Sequence, residues 1–200
     1  MGPQTIIPPL YGIEADDILK LSQQDDIVIS SGFRFEKPSG FNRLRILGVN
    51  GPILLSIPVK KHKAGIPVSE IEIDYLQKWQ NQHWRSIQSA YGKSPYFEYF
   101  KSDLEKIYGA SPERLIEFTG ILMKWVLNQY FPEKKITVIL AQNQPVFLTT
   151  ERLLLSWKED KNRSETRIRY TQVFGQEFVS GMSVLDHLFC EGTKFWNLQN

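Results

Sequence analysis

Between Asp74 and Pro132 the chain is punctuated for three successive helices, and this run limits what the rest can become. Asp74 stands as an N-cap, with Gln77 three residues later to close a capping box. The helix this predicts, Tyr75 to about Tyr91, stops at Gly92, a residue suited to the position just past a helix. Ser94-Pro95 and Ser111-Pro112 each set a hydroxyl before a proline at the first helical position. They predict helices over 95–108 and 112–130, the second closed by Pro132.

Strand signals flank this run. Thr5-Ile6-Ile7 is short and β-branched, and Pro8-Pro9 stops it. Asp26–Ser30 is a compact buried-strand run. Leu44–Gly48 and Ile53–Val59 are joined around Val49-Asn50-Gly51-Pro52, and Asn-Gly between apolar runs signals a hairpin because both residues tolerate positive φ. Lys135–Leu140 reads as a late strand. Glu14–Ser22 reads as an early helix with Asp16 and Asp17 in its first turns. A last helix over 184–190 is capped by Ser183, with Asp186 in capping-box position and Gly192 as its stop, while Glu151–Arg169 reads as a polar loop. Strands, then helices, then a strand imply one α/β (or α+β) domain over residues 1–200. Its mixed sheet would come mainly from the N-terminal half, with the middle helices packed on it.

Such a domain can be filled from this chain, which carries 12 Phe, 8 Tyr and 5 Trp within a 42% hydrophobic total. That supply excludes disorder as the main state. Lys and Arg number 24 against 22 Asp and Glu, a net charge of +2. The balance argues against a general nucleic-acid binder, and the aromatics between 79 and 100 lie at helical core spacing rather than on a basic sheet surface. No stretch approaches the roughly 18 apolar residues of a membrane span. Met1–Leu10 shows no signal-peptide pattern, so a cytoplasmic chain is expected. The single Cys190 excludes an intrachain disulfide and a multi-cysteine metal site.

Familiar catalytic signatures fail. Gly92-Lys93-Ser94 imitates the end of a phosphate loop, but the required first glycine would fall at Ile87 and Pro95 follows at once. His62, His83 and His187 lack ligand spacing, so no metal site is expected. Cys190 ends a short helix, where the dipole disfavours a thiolate, and reads as structural.

What survives is a set of polar residues beside aromatic or strand positions. On the predicted helix Trp79, His83, Ile87 and Tyr91 are four apart and share one stripe, which Trp84 broadens. His83 has two readings: a core histidine bonded to a backbone carbonyl, or a general base at a cleft edge. The loop Phe35–Arg43 joins two predicted strands and carries Lys37, Asn42 and Arg43. Loops at strand ends are where α/β folds bind ligands, and Arg43 as a fork with Lys37 as a point charge suits a phosphate or carboxylate. The plainer reading is a solvated turn with Arg43 in an ion pair. Of Lys60-Lys61-His62-Lys63, only Lys60 lies close enough to a strand end to reach a cleft; the run otherwise reads as solvated loop. Glu72 and Asp74 alternate with Ile71 and Ile73 and so face one way, as an acid/base pair or as a solvent face plus the helix cap.

In order and spacing, Asn42-Arg43-x-x-Ile46, Asn50-Gly51-Pro52, Ile57-Pro58-Val59-Lys60 and Ile71-Glu72-Ile73-Asp74 resemble the WbqC-like protein family. So do Trp79-x-x-x-His83-Trp84 and Tyr91-x-x-x-Pro95-Tyr96-Phe97-Glu98-Tyr99. Tyr170-x-Gln172-Val173-Phe174 and Ser183-x-Leu185-Asp186-x-Leu188-Phe189-x-Glu191-Gly192 resemble the version common in Bacteroidetes. Pro8-Pro9-Leu10-Tyr11-Gly12 keeps the family's prolines and glycine but lacks the preceding Gln, so no role of that Gln is carried over. The resemblance implies a part in surface-polysaccharide biosynthesis, including O-antigen sugars, as an acyl- or aminoacyl-type transferase on a nucleotide-linked amino sugar. In that scheme Lys37, Arg43 and Lys60, with Asn42, hold the small-molecule ligand, and Trp79 and Tyr91 stack on base or sugar. His83 takes the proton of the attacking amine, with Asp74 as the second catalytic candidate, and no cofactor is identified. The rival is a non-catalytic module that binds a sugar nucleotide or a partner enzyme. A single site requires these segments to converge, with Arg43 and His83 on one face.

Overall fold

Residues 4–35, 40–139 and 168–194 are described by a computed structural model of the chain. The β-branched run at the start forms β1 (Gln4–Ile7), and α1 (Ala15–Ser22) carries the chain over to β2 (Asp26–Ser30). Parallel strands need such a crossover, and β1 and β2 pair parallel, from Gln4↔Asp26 to Ile7↔Ile29. The third strand, β5 (Ile136–Ile139), pairs parallel on the other side of β2, from Ile27↔Ile136 to Ser30↔Ile139. β2 is thus the central strand, and it is buried from Ile27 to Ser30, as the near-continuous apolar run demands.

Between β2 and β5 lie a hairpin and the helical run. β3 (Arg43–Gly48) and β4 (Gly51–Ser56) pair antiparallel as a separate two-stranded sheet, so parallel and antiparallel pairing are divided between two sheets of an α/β structure. Gly48 pairs with Gly51, leaving Val49 and Asn50 at the tip. The positive φ expected of both Asn50 and Gly51 is carried by Gly51 alone, at 108°.

All three middle helices form, but each starts late. α2 spans Trp79–Tyr91, α3 Phe97–Gly109 and α4 Leu115–Tyr130. Asp74 does not cap α2: the Ile73 N–H donates to the Glu113 carbonyl and the Asp74 N–H to Pro58, both at 2.9 Å, which commits this backbone to strand-like pairing. The Asp74 carboxylate accepts the Leu76 N–H at 2.9 Å, closing a turn ahead of the helix. Ser94 Oγ donates back to the Tyr91 carbonyl at 2.6 Å instead of capping α3. At α4 the Glu117 carboxylate accepts the Arg114 N–H at 3.1 Å, so Arg114 replaces Ser111 as the entry residue. Gly92 follows α2 in a right-handed conformation (φ −59°), where an added Cβ would stand 2.7 Å from the Gln88 carbonyl oxygen.

The last helix, α5 (Val184–Glu191), covers the free edge of β3: the Ser183 N–H donates to the Arg45 carbonyl at 2.8 Å. Ser183 Oγ makes no cap bond. One buried cluster joins both sheets to all five α-helices, from Ile7 through Ile29, Phe41, Trp79, Phe97 and Phe118 to Phe189. The predicted polar loop Glu151–Arg169 lies outside the described residues up to 167.

Candidate functional site

The α2 stripe faces inward, as its four-residue spacing predicts. Trp79, His83, Ile87 and Tyr91 are all buried. His83 sits edge-on to Trp79 at 5.1 Å and parallel to the Tyr11 ring at 5.8 Å. Tyr11 Oη lies 2.8 Å from His83 Nδ1 and 2.9 Å from Tyr108 Oη, so two hydroxyls and an imidazole form one buried hydrogen-bonded chain. Burial holds the His83 imidazole down to about 4, and a hydrogen bond with the Ser56 backbone opposes this only in part. The ring is therefore neutral near pH 7. Burial also raises the Tyr11 hydroxyl well above the usual tyrosine range.

Tyr11 reaches this position because the chain leaving β1 presses against the hairpin. The Tyr11 N–H donates to the Gly40 carbonyl at 2.8 Å. Beside it, a Cβ on Gly12 would stand 2.3 Å from the Arg43 carbonyl oxygen, closer than side-chain carbons approach backbone. Glycine is required here by contact.

Three sequence-predicted site residues engage the backbone where β4 ends. Arg43 pairs with Ser56 across the hairpin, and His83 bonds the same Ser56 backbone. Asn42 Nδ2 donates to the Ile57 carbonyl at 2.9 Å while the Ile57 N–H donates to Asn42 at 2.8 Å, extending the hairpin by one pair. Asn42 Oδ1 is buried without a partner. Four residues on, Lys60 Nζ lies 2.5 Å from a Glu72 carboxylate oxygen. That contact raises the lysine and lowers the carboxyl, and both side chains are well exposed, so the pair is screened. Lys37 lies outside the described residues. Arg43 is half-buried and makes no ion pair among the described residues.

Tyr91 belongs elsewhere. Eight residues separate it from His83, about 12 Å along a helix. Its hydroxyl accepts the Leu47 N–H at 2.9 Å and donates to Asp186 Oδ1 at 2.7 Å. Asp186 is wholly buried, and its other oxygen accepts the Tyr170 hydroxyl at 2.6 Å and Gln172 Nε2 at 2.8 Å. Among the described residues no cation pairs with this carboxylate; three neutral donors hold it. The same helix buries His187, lowered to about 4, and Cys190, pushed up to about 12, both chiefly by desolvation. Asp186 was legible only as a capping residue, because its three partners come from two other segments. One signal was present: Tyr170 and Gln172 are two apart, the spacing that puts side chains on one side of extended backbone.

At the hairpin end the Asn42 amide is already spent on the Ile57 carbonyl, and the Arg43 guanidinium makes no ion pair among the described residues. The two rings predicted to stack on a ligand, Trp79 and Tyr91, are 1% and 0% exposed and form walls instead. Among the described residues no group of His, Cys, Asp or Glu is arranged to hold a metal ion, and no helix is long and apolar enough to cross a membrane.

A family model described as the WbqC-like protein family matches residues 18–140, more than half of the chain. The matched span contains Asn42, Arg43, Lys60, Asp74, Trp79, His83 and Tyr91, and leaves out Tyr11 and Asp186. No curated protein and no solved structure matches the chain.

Proposed function

Because the chain belongs to the WbqC-like protein family, we propose that it serves bacterial surface-polysaccharide biosynthesis by binding a nucleotide-linked amino sugar at the end of the hairpin. The observation that carries this reading is the meeting of Arg43 and His83 at Ser56, with Asn42 bonded to the next residue. Arg43 is half-buried and has no carboxylate partner among the described residues, which suits a guanidinium awaiting a phosphate. Lys37 and Lys60 are the other proposed phosphate contacts.

The chemistry of His83 favours binding over transfer. A general base works best with a pKa near the operating pH, and an imidazole held to about 4 is a weak acceptor for an amine proton. Asp74 spends its carboxylate on a turn N–H. The second reading, acyl or aminoacyl transfer to the sugar amine, draws support from the Tyr108–Tyr11–His83 chain, a ready proton path.

Calorimetry with a panel of nucleotide-linked amino sugars, paired with mass spectrometry of the same mixtures plus acyl donors, separates the two. Saturable binding without a mass change is the expected result, weakened about ten-fold or more by Arg43→Ala. Acylated product that disappears in His83→Gln establishes the transferase instead. Absence of both binding and product overturns the proposal.

A further inference from the structure

The loop that follows the hairpin is basic and unusually well fastened. Lys60, Lys61 and Lys63 lie along it, and Arg34 Nη1 donates to the Gly65 carbonyl at 2.6 Å, tying a fourth cation to its far end. Its base is closed by backbone. The Lys60 N–H donates to Glu72 at 3.0 Å, the Phe35 N–H to Ile66 and the Val68 N–H to Phe33, both at 2.9 Å. Arg34 and Pro67 add an antiparallel bridge. Inside the loop the His62 ring meets Phe35 edge-on at 5.0 Å, and its Nδ1 lies 2.9 Å from the Lys63 carbonyl. A nitrogen facing a carbonyl is the N–H of the ring, which leaves Nε2, and Nε2 is buried without a partner. Lys61 and Lys63, on either side of this anchored ring, are exposed.

Charge is unbalanced here. Glu72 answers Lys60, and Glu113 and Asp74 also act on that ammonium. Among the described residues, Arg34, Lys61 and Lys63 have no ion-pair partner. A free solvated loop would let like charges spread, whereas backbone bonds at both ends hold these together. An anion placed among them turns mutual repulsion into attraction. The donors differ in kind: a guanidinium fork for two oxygens at once and ammonium groups for single ones. We propose that the Lys60–Gly65 loop with Arg34 receives a diphosphate group on its exposed side, with the His62 ring anchoring the loop from within. This deepens the reading above and rests on it for the sugar nucleotide. It adds Arg34, Lys61 and Lys63 to the phosphate contacts in place of Lys60, which is already paired with Glu72. A diphosphate can be carried by a soluble nucleotide or by a lipid, and the loop chemistry is the same for both.

The test uses the full chain in low-salt buffer, with inorganic pyrophosphate and a nucleoside diphosphate sugar titrated calorimetrically. Co-sedimentation with phosphatidylglycerol vesicles forms the third arm. The expected result is pyrophosphate binding weakened about ten-fold or more by combined Lys61→Ala and Lys63→Ala, and also by Arg34→Lys, which keeps the charge but loses the fork. Lys106→Ala, on the exposed face of α3, should change nothing. Thermal melts of every variant confirm folding. Pyrophosphate binding that is absent, or equal in all variants, overturns the proposal. Sugar-nucleotide binding that survives the double substitution also overturns it, while leaving the proposed function standing. Pyrophosphate binding lost in the double variant, with no sugar-nucleotide binding by the parent chain, supports the loop and removes the function. Vesicle binding without pyrophosphate binding assigns the loop to a membrane surface and overturns the diphosphate site. Loop-dependent binding of both pyrophosphate and vesicles shows a general attraction to anions and overturns a site built for the diphosphate.

Discussion

His83 and His187 each lie beside a tyrosine hydroxyl, with Tyr11 Oη and Tyr130 Oη 2.8 Å from their Nδ1 atoms. Burial lowers both to about 4, against about 6.5 in an unfolded chain. Between those values the unfolded chain holds more protons, so the stability they contribute is fully present above about pH 6.5 and is lost as pH falls toward 4. Each contributes a slope of about 1.4 kcal/mol per pH unit inside the window. Urea unfolding at a series of pH values should show this decline, with about half the slope remaining in His83→Gln; a flat profile would mean the imidazoles are not held neutral. Gly12 gives a second residue-scale prediction. A methyl there meets the Arg43 carbonyl oxygen at 2.3 Å, backbone against backbone, so neither side can yield cheaply. Gly12→Ala should cost about 1–3 kcal/mol, read as a lower melting temperature. At this scale the inward turn of His83 was legible from spacing alone, but its hydroxyl partner was not, because Tyr11 lies 72 residues away in sequence.

Elements were legible in kind and displaced at their starts. Capping signals at Asp74, Ser94 and Ser111 describe what a side chain does in an isolated helix. Here the backbone around Ile73 and Asp74 is already engaged by Glu113 and Pro58, so α2 begins only at Trp79. The same competition explains Asp186, whose capping position in α5 is overridden by three donors from other segments. Asp186→Ala strands the Tyr91 and Tyr170 hydroxyls and the Gln172 amide in the interior. A loss of about 3–5 kcal/mol is expected. Hydrogen exchange should localise it: the Leu47 amide, which donates to Tyr91, loses protection, whereas the β2 amides lose no more than the global change. A loss spread evenly over both sheets would argue against a local latch. At the other end of the molecule, Lys134 Nζ donates to the carbonyls of Leu21, Ser22 and Gln24 as α1 ends. A cation at a helix C-terminus is stabilising, so Lys134→Met should cost about 1 kcal/mol and fray α1 first, as its amide exchange would register.

The parallel sheet joins the start of the chain to β5, and its order was not legible. Periodicity marks Gln4–Ile7, Asp26–Ser30 and Ile136–Ile139 as strands without saying that the second lies between the others. This has a consequence for the family-matched region, residues 18–140. That fragment keeps β2, β5, the hairpin and α2 to α4, yet it lacks β1 and α5. Without β1, one edge of β2 loses its partners at Ile27, Val28 and Ile29, so the central strand becomes an open apolar edge. Without α5, the Arg45 carbonyl loses the Ser183 amide and the Tyr91 hydroxyl loses Asp186. The Phe189 ring, packed at 4.9 Å from Tyr91 and 5.2 Å from Phe97, leaves a hole between α2 and α3. The fragment also begins after Tyr11, removing the hydroxyl from His83. Each loss falls on a different wall of one core, so local repacking cannot restore them all. The expected behaviour is helical far-ultraviolet dichroism without fixed aromatic near-ultraviolet bands, dye binding, and a broad urea transition. The full chain should unfold in one sharp step by both probes. A fragment that melts as sharply as the full chain would show that the matched region folds alone, and that β1 and α5 are additions to it.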